Sequence, residues 1–292
     1  MANNSSIKLG QLDVTQTGQS RQIVSDGTTV FQPVNSDISG NRIFYSGKAT
    51  VTRDGDYQVF SFDTPGSASI TPNFSGDVEI LAVGGGGGAT YGGTVTGNGY
   101  TGGGGGAGEY VASTSFTLTS GSAVTIVVGA KGIGEQSSGG GGLTSGLNSQ
   151  IGSLTALGGG AAGSNLTPAA SSGGSGGGAG GASSNRGGGT STASDGTGNA
   201  GGANGSPVGI PSYYLQGGGG GGASAAGDNT GAGGNGTSND ITGTSIEYAV
   251  GGSANGAAQF TTPGSGGNGV GNTSPANDGV DGIVIVRFKK YQ

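Results

Sequence analysis

Histidine, cysteine and tryptophan are absent from this 292-residue chain, and charged residues make up only 9% of it. Without histidine or cysteine, the chain cannot assemble a Ser-His-Asp or Cys-His nucleophile. The same absence excludes disulfide bonds and zinc sites of the usual Cys/His type. We therefore expect a protein that is not an enzyme and that needs no metal ion or cofactor.

Charge is also distributed in a way that restricts the partners. The net charge is −6, and the ten basic residues are scattered except for Arg287, Lys289 and Lys290 at the C-terminus. This distribution argues against a nucleic-acid partner. Apolar runs such as Val78–Val83 are too short to span a bilayer, and the first residues lack the basic and apolar regions of a signal peptide. We expect no membrane insertion and no export signal.

Glycine, in contrast, is abundant, with 75 residues in this chain against roughly 7% in ordinary proteins. Each glycine inside a helix costs roughly 1 kcal/mol relative to alanine, so helices of normal length are not expected. The glycine blocks have no strict Gly-X-Y period, which excludes collagen. They are either flexible linkers or packed, extended left-handed rods with about three residues per turn. Because strands flank the blocks, we expect Gly158–Gly222 to be largely ordered as rods.

Strand patterns surround the glycine blocks. Lys48–Thr64 alternates on both sides of an Arg-Asp-Gly-Asp turn, which predicts a hairpin. β-branched residues and alternation predict further strands at Val78–Val83, Ser115–Thr119, Val124–Val128 and Gly282–Phe288. The sequence therefore predicts an all-β fold, in which short β-strands combine with packed polyglycine II-type extended segments and with little or no helix.

Composition divides the chain into two parts. Residues 1–47 are poor in glycine and contain isolated apolar residues, with short alternating pieces at Ile7/Leu9 and Leu12/Val14. Chains of about 40 residues usually need outside support to fold. We interpret residues 1–47 as an attachment or assembly arm or a small β module, which becomes ordered against a partner. Residues 48–292 are interpreted as a glycine-rich β/polyglycine domain.

Two patterns that can carry chemistry have simpler explanations. Gly84, Gly86 and Ala89 match the dinucleotide-binding pattern G-x-G-x-x-A, but the residues that follow do not favour the helix that this motif needs. Asp54/Asp56 and Asp278/Asp281 are close carboxylate pairs of the kind that glycosidases use. Each pair lies beside a glycine, where aspartate favours a turn. We interpret both patterns as structural.

Large side chains interrupt the glycine-rich sequence at two places. Tyr91 and Tyr100 lie between the first two glycine blocks, and Tyr213, Tyr214 and Leu215 precede the longest block. In exposed loops, such residues stack on sugar rings or insert into a groove of another protein. The alternative is that they cap a small core between rods. They are the binding candidates, because a glycine rod offers only repetitive backbone.

The order of strands and glycine blocks resembles the glycine-rich domain of bacteriophage tail-fibre proteins, adhesins and related virion surface proteins. The segments that carry the resemblance are 78–88, 102–106, 124–132, 156–160 and 281–288. Residues 1–47 do not resemble the attachment domain of those adhesins. The resemblance names no catalytic residue.

The resemblance implies a virion structural protein, assembled in the host cytoplasm, of the tail-fibre or adhesin type. In such adhesins, loops between glycine rods contact the host receptor, so the resemblance implies a glycan or an outer-membrane protein as the partner. We expect residues 1–47 to join other virion proteins or further copies of this chain. The alternatives are a capsid-bound head fibre or decoration protein and a polyglycine ice-binding protein, the latter weakened by the irregular spacing of the blocks.

Overall fold

The computed structural model describes most of the chain after residue 39. The described ranges are 40–92, 101–135, 142–164, 169–181, 186–205, 216–256, 259–271 and 275–290. For the strands at 6–9, 12–17, 20–24, 34–35, 94–95 and 98–99, only the backbone is described. These parts of the chain contain strands and no helix, which confirms the predicted all-β fold.

The N-terminal strands form an antiparallel sheet of their own. They are β1 (Ser6–Leu9), β2 (Leu12–Thr17), β3 (Ser20–Val24) and β4 (Val34–Asn35), paired in that order. The alternating pieces at Ile7/Leu9 and Leu12/Val14 are therefore strands. The division of the chain at residue 47 stays a prediction.

Two five-stranded antiparallel sheets form the body of the glycine-rich part. The remaining strands are β5 (Ile43–Ser46), β6 (Thr50–Asp54), β7 (Tyr57–Phe62), β8 (Gly66–Pro72), β9 (Gly76–Val83), β10 (Thr94–Val95), β11 (Asn98–Gly99), β12 (Tyr110–Leu118), β13 (Val124–Val128), β14 (Ser149–Ile151), β15 (Leu154–Ala156), β16 (Thr237–Asn239), β17 (Ile246–Tyr248) and β18 (Ile283–Lys289). The first sheet has the order β12-β9-β18-β7-β6, and the second sheet has the order β15-β14-β13-β8-β5. β10 pairs with β11, and β16 pairs with β17.

The two sheets pack face to face around an apolar core. Phe60 of β7 stacks on Phe288 of β18, with 5.9 Å between the ring centroids, and meets Tyr45 of β5 edge to face at 5.4 Å. Ile70 and Ile126 of the second sheet belong to the same buried cluster. Offset and edge-to-face ring pairs are the favourable arrangements, so these aromatics hold the two sheets together.

The outer face of the first sheet is also covered. Ile241 and Tyr248, from the β16–β17 hairpin and its turn, form a second buried cluster with Leu81 and Ile285. The central strands β9 and β18 are thus buried on both faces. This explains why their sequences are continuous apolar runs instead of alternating ones.

Glycine-rich rods continue the strands beyond one end of the sandwich. β9 runs into a rod at residues 84–90, and β13 runs into a rod at 129–135. In the opposite chain direction, the rod 101–109 leads into β12 and the rod 275–282 leads into β18. The sheets therefore set the positions at which these rods begin or end.

Hydrogen bonds between the rods repeat every three residues. In the rod 84–90, positions 84, 87 and 90 donate N–H to the rod 101–109, positions 85 and 88 donate to the rod 142–148, and positions 86 and 89 donate to the rod 275–282. Three residues per turn is the geometry of polyglycine II-type segments. The predicted combination of strands with packed extended segments is confirmed.

The stretch Gly158–Gly222 adds further rods to this lattice. Gly106 donates to Gly160 at 2.8 Å, and Gly178 donates to Gly104 at 2.8 Å. Ala179 then donates to Gly202 at 3.0 Å, which links a rod farther out. The described parts of this stretch are thus hydrogen-bonded rods, as predicted. The connections 165–168, 182–185 and 206–215 lie outside the described residues.

The strand predictions at Lys48–Thr64, Val78–Val83 and Val124–Val128 are confirmed by β6–β7, β9 and β13. Sequence reasoning missed the other four strands of the second sheet, β5, β8, β14 and β15. β8 reads Gly-Ser-Ala-Ser-Ile-Thr-Pro and carries one large apolar residue, Ile70, so its pattern is weak. It is a strand because β13 and β5 supply backbone partners on both sides.

Candidate functional site

The ends of the rods remote from the sandwich gather the connections of the glycine-rich lattice. Apart from the backbone of β10 and β11, the chain leaves the described residues between 92 and 101, 135 and 142, 164 and 169, 181 and 186, 205 and 216, 256 and 259, and 271 and 275. Hydrogen bonds join the flanking residues of several of these connections. We call this end of the rod bundle the loop face.

Tyr91 is the described binding candidate at the loop face. Its backbone N–H donates to Glu135 Oε2 at 3.0 Å, and its backbone forms a parallel bridge with Val270. The next residue, Gly92, donates to the Val270 carbonyl at 2.8 Å. Glu135 is buried, whereas the Tyr91 side chain is half-buried. The position of Tyr91 is therefore fixed by two neighbouring rods.

The other candidates, Tyr100, Tyr213, Tyr214 and Leu215, lie outside the described residues. The residues that flank them are described and lie together. Thr101, which follows Tyr100, accepts a hydrogen bond on Oγ1 from the Gly217 N–H at 2.8 Å. Gln216, which follows Leu215, exchanges backbone hydrogen bonds with Gly205 at 3.0 and 3.1 Å. The described residues that flank the segments 93–100 and 206–215 thus lie side by side.

The N-terminal segment enters the sandwich at the opposite end. The backbone N–H of Asn41 donates to the carbonyl of Lys290 at 2.8 Å, just beyond the end of β18. Lys290 in turn donates to the carbonyl of Asp56 in the β6–β7 turn at 3.0 Å. Because β18 starts at the rods and runs away from them, residue 40 and the loop face lie at opposite ends of the body.

The patterns that can carry chemistry are used for structure. Gly84, Gly86 and Ala89 belong to a rod whose N–H groups are all bonded to neighbouring rods. Asp54 lies at the predicted turn and pairs with Arg287 at 2.7 Å. The turn interpretation is wrong for Asp278, because it lies within a rod. Its Oδ1 accepts the Gly134 N–H at 2.8 Å, and its Oδ2 pairs with Lys131 at 3.0 Å.

Glu109 is a buried carboxylate that sequence reasoning did not single out. It lies where the rod 101–109 meets β12, and it is fully buried. Its Oε1 accepts the backbone N–H groups of residues 194, 195 and 196 at 2.9, 2.8 and 2.6 Å. Its Oε2 accepts the Leu157 N–H at 3.1 Å. Both carboxylate oxygens accept hydrogen bonds from backbone N–H groups, so Glu109 connects residues 194–196 and Leu157 to the end of the rod 101–109.

A groove of about 500 Å³ lies beside this junction. Its lining includes Tyr110, Ser191, Thr197, Asn199 and Thr237, and it contains no charged side chain. The Tyr110 hydroxyl accepts a hydrogen bond from the Asn239 amide at 2.7 Å. Burial raises the pKa of Tyr110, so this hydroxyl stays protonated at neutral pH.

Metal-binding clusters and membrane-spanning helices are both absent from the described residues. Across the part of the chain that the structure describes, no three His, Cys, Asp or Glu residues are grouped so as to hold a metal ion. That same part contains no helix long and apolar enough to cross a membrane.

Comparison with known proteins identifies the domain. A search of curated proteins gives no match. The sequence model of the glycine-rich domain family matches residues 63–289, which include both sheets from β8 onward and all of the described rods. The chain belongs to the glycine-rich domain family.

Proposed function

We propose that this chain is a non-enzymatic bacteriophage virion protein of the tail-fibre or adhesin type. Residues 1–47 join it to other virion proteins, and the loop face contacts a receptor on the host surface. The receptor is a glycan or an outer-membrane protein. The observation that carries the proposal is that residue 40 and the loop face lie at opposite ends of the body. An attached adhesin must present its binding loops away from its point of attachment.

The positions of the candidate residues support this role. Tyr91 lies at the loop face, and the described residues that follow Tyr100 and Tyr213–Leu215 in the chain lie beside each other. Tyrosine gives a large contact area with few rotors to freeze and one hydroxyl for hydrogen bonding. A group of such side chains on a rigid support suits the recognition of sugars or of a protein groove.

The binding role is tested by replacing Tyr213 and Tyr214 together with alanine. Loss of one anchor costs about 2 kcal/mol in binding, or roughly thirtyfold in affinity, so adsorption to host cells should fall at least that much. The melting temperature should stay unchanged, because side chains that serve receptor contact do not stabilise a core between rods. Leu147→Ala, which removes an exposed apolar side chain away from the loop face, is the control.

Two outcomes contradict the assignment of these tyrosines. Normal adsorption of the double variant would remove them from the receptor site. A large fall in melting temperature would place them in a core between rods. If labelling of the C-terminus locates the protein on the capsid shell instead of at a fibre, the alternative of a head fibre or decoration protein replaces the adhesin.

The attachment role is tested by deleting residues 1–39. The cut precedes Ile43 and Tyr45, which are buried in the sandwich and must be kept. We expect the shortened protein to keep its fold, because the described part of the body supplies its own core. Its copy number in purified particles, measured by quantitative mass spectrometry, should fall at least about tenfold. Incorporation at the level of the full-length chain would show that attachment lies elsewhere.

A further inference from the structure

The four outer edges of the sandwich are protected to different degrees. An unprotected edge strand presents unpaired N–H and C=O groups that can pair with another chain. Natural sheets guard against this with charged residues, bulges, very short strands or a covering segment. The edges here are β12 and β6 in the first sheet and β15 and β5 in the second sheet.

Three of these edges carry such protection. Tyr110 at the start of β12 exchanges backbone hydrogen bonds with Thr197, and the strand is irregular between Ser113 and Phe116. β15 has only three residues, and its Thr155 N–H is capped by the Asp195 carboxylate at 2.9 Å. β6 contains two charged residues, Arg and Asp, within five positions.

Among the described residues, the fourth edge, β5, shows none of these devices apart from its length of four residues. Its sequence is Ile-Phe-Tyr-Ser, and its strand partner is β8 on one side. No described residue forms a backbone hydrogen bond to its outer side. Ile43 and Tyr45 point into the core, so Phe44 points to the opposite face, where 45% of it is exposed. β5 therefore combines an open edge with an exposed aromatic ring.

The sheet behind this edge is electrically neutral. None of the five strands of the second sheet contains a charged residue, whereas three of the five strands of the first sheet, β6, β9 and β18, do. The chain as a whole carries a net charge of −6. Two copies would therefore meet with less repulsion along the second sheet than along the first.

We propose that β5 pairs antiparallel with β5 of a second copy of this chain across a twofold axis. Residues opposite each other in an antiparallel pair share a face of the sheet. Among the registers that keep both faces in step, the one centred on the exposed ring places Phe44 opposite Phe44 of the partner copy and Ile43 opposite its Tyr45. The exposed rings then cover each other, and the buried residues of the two cores continue across the axis.

The same register explains why a second copy fits this edge. Arg42 falls opposite Ser46 of the partner copy, and Lys48 falls opposite its Gly40, so no like charges face each other. An isologous contact of this kind needs one self-complementary patch and closes after two copies. The pairing joins the two second sheets into one ten-stranded sheet and leaves both loop faces free.

The association is tested by sedimentation velocity on the full chain, from about 1 µM to about 1 mM, the range of weak protein affinities. We expect a monomer that becomes a dimer as the concentration rises. Phe44→Lys puts a charge at the centre of the edge and should weaken the dimer at least tenfold. Leu147→Lys changes an even more exposed apolar residue on a rod and should leave the dimer unchanged.

The register is tested with single cysteines, since the chain has none. Opposed Cα atoms in an antiparallel pair are about 4.5–5.5 Å apart, within the range that a disulfide spans. Under diamide oxidation, Phe44→Cys should give a covalent dimer, and Leu147→Cys should not. A wild-type chain that stays monomeric, a Phe44→Lys variant that dimerises normally, or equal cross-linking of both cysteine variants would each overturn the proposal.

Discussion

Replacing Gly105 with alanine should lower the free energy of unfolding by at least about 3 kcal/mol, the upper part of the range for overpacked cores. A Cβ atom at this position would lie 2.1 Å from the carbonyl oxygen of Gly87. Close carbon–oxygen contacts in proteins are about 3.3–3.6 Å. The neighbouring rod must therefore move by more than 1 Å, roughly, to admit one methyl group. Denaturant unfolding measures the change.

The rods that contain Gly105 and Gly87 cannot move apart without disturbing their other neighbours. Gly105 donates to Gly267 at 2.9 Å and accepts from Gly252 at 2.9 Å. Gly87 is held in the same way, by its own donation to Gly106 at 2.8 Å and by a bond from Gly267 at 3.0 Å. The obstacle is backbone, so no side chain can rotate away. Shifting one rod breaks hydrogen bonds on its other sides.

Gly187→Ala is the matched control for this substitution. Gly187 is exposed, a Cβ atom there meets nothing within 4 Å, and its φ angle, like that of Gly105, is outside the left-handed region. Alanine at such a site usually stabilises by about 0.4–1 kcal/mol, through the unfolded chain. Equal stabilities of the two variants would mean that the rods are not closely packed in solution.

The same packing explains which parts of the fold the sequence reveals. Runs such as Val78–Val83 are recognisable because large apolar residues must be buried, whatever their partner. The sequence identifies a segment as a glycine rod, but it does not show which rods pack beside that segment, because glycine has no side chain that could select a neighbour. Selection comes from scattered polar groups: Thr90 Oγ1, for example, donates to Gly163 at 2.8 Å and accepts from Gly103 at 2.7 Å. Such contacts cannot be assigned from one sequence.

The loop face shows a similar division. The candidate tyrosines are visible in the sequence because they interrupt glycine blocks, but the proximity of the rod ends that flank them depends on how the rods are paired. Thr101 and Gly217 are 116 positions apart in the chain and hydrogen-bonded in the lattice. Glu109 was missed for a different reason. Glutamate is almost never fully buried unless it is paired, so composition gives no reason to place one between rods.

Glu109 is held entirely by backbone donors from two segments. Residues 194–196 supply three consecutive N–H groups to one oxygen, and Leu157 supplies one to the other. Hydrogen bonds to a charged group contribute about 1.5–3 kcal/mol each. The residues at 194–196 are exposed, so water can replace part of this interaction once the carboxylate is gone. The net loss of stability when the carboxylate is removed is therefore smaller than the sum of its four hydrogen-bond contributions.

We expect Glu109→Ala to lower the free energy of unfolding by about 3 kcal/mol, because it removes the acceptor of the half-buried Leu157 N–H and leaves a cavity at a fully buried position. Glu109→Gln should cost less, since its amide oxygen still accepts from residues 194–196. The control is Glu247→Ala: Glu247 also accepts a backbone N–H, from Gly236 at 3.2 Å, but it is exposed and should change stability by less than about 1 kcal/mol. Hydrogen exchange gives the local readout. In the Glu109→Ala variant the amides at 194–196 should exchange faster, while those of β9 and β18 keep their protection. Equal loss of stability in the Glu109→Ala and Glu247→Ala variants would contradict the role of the buried carboxylate.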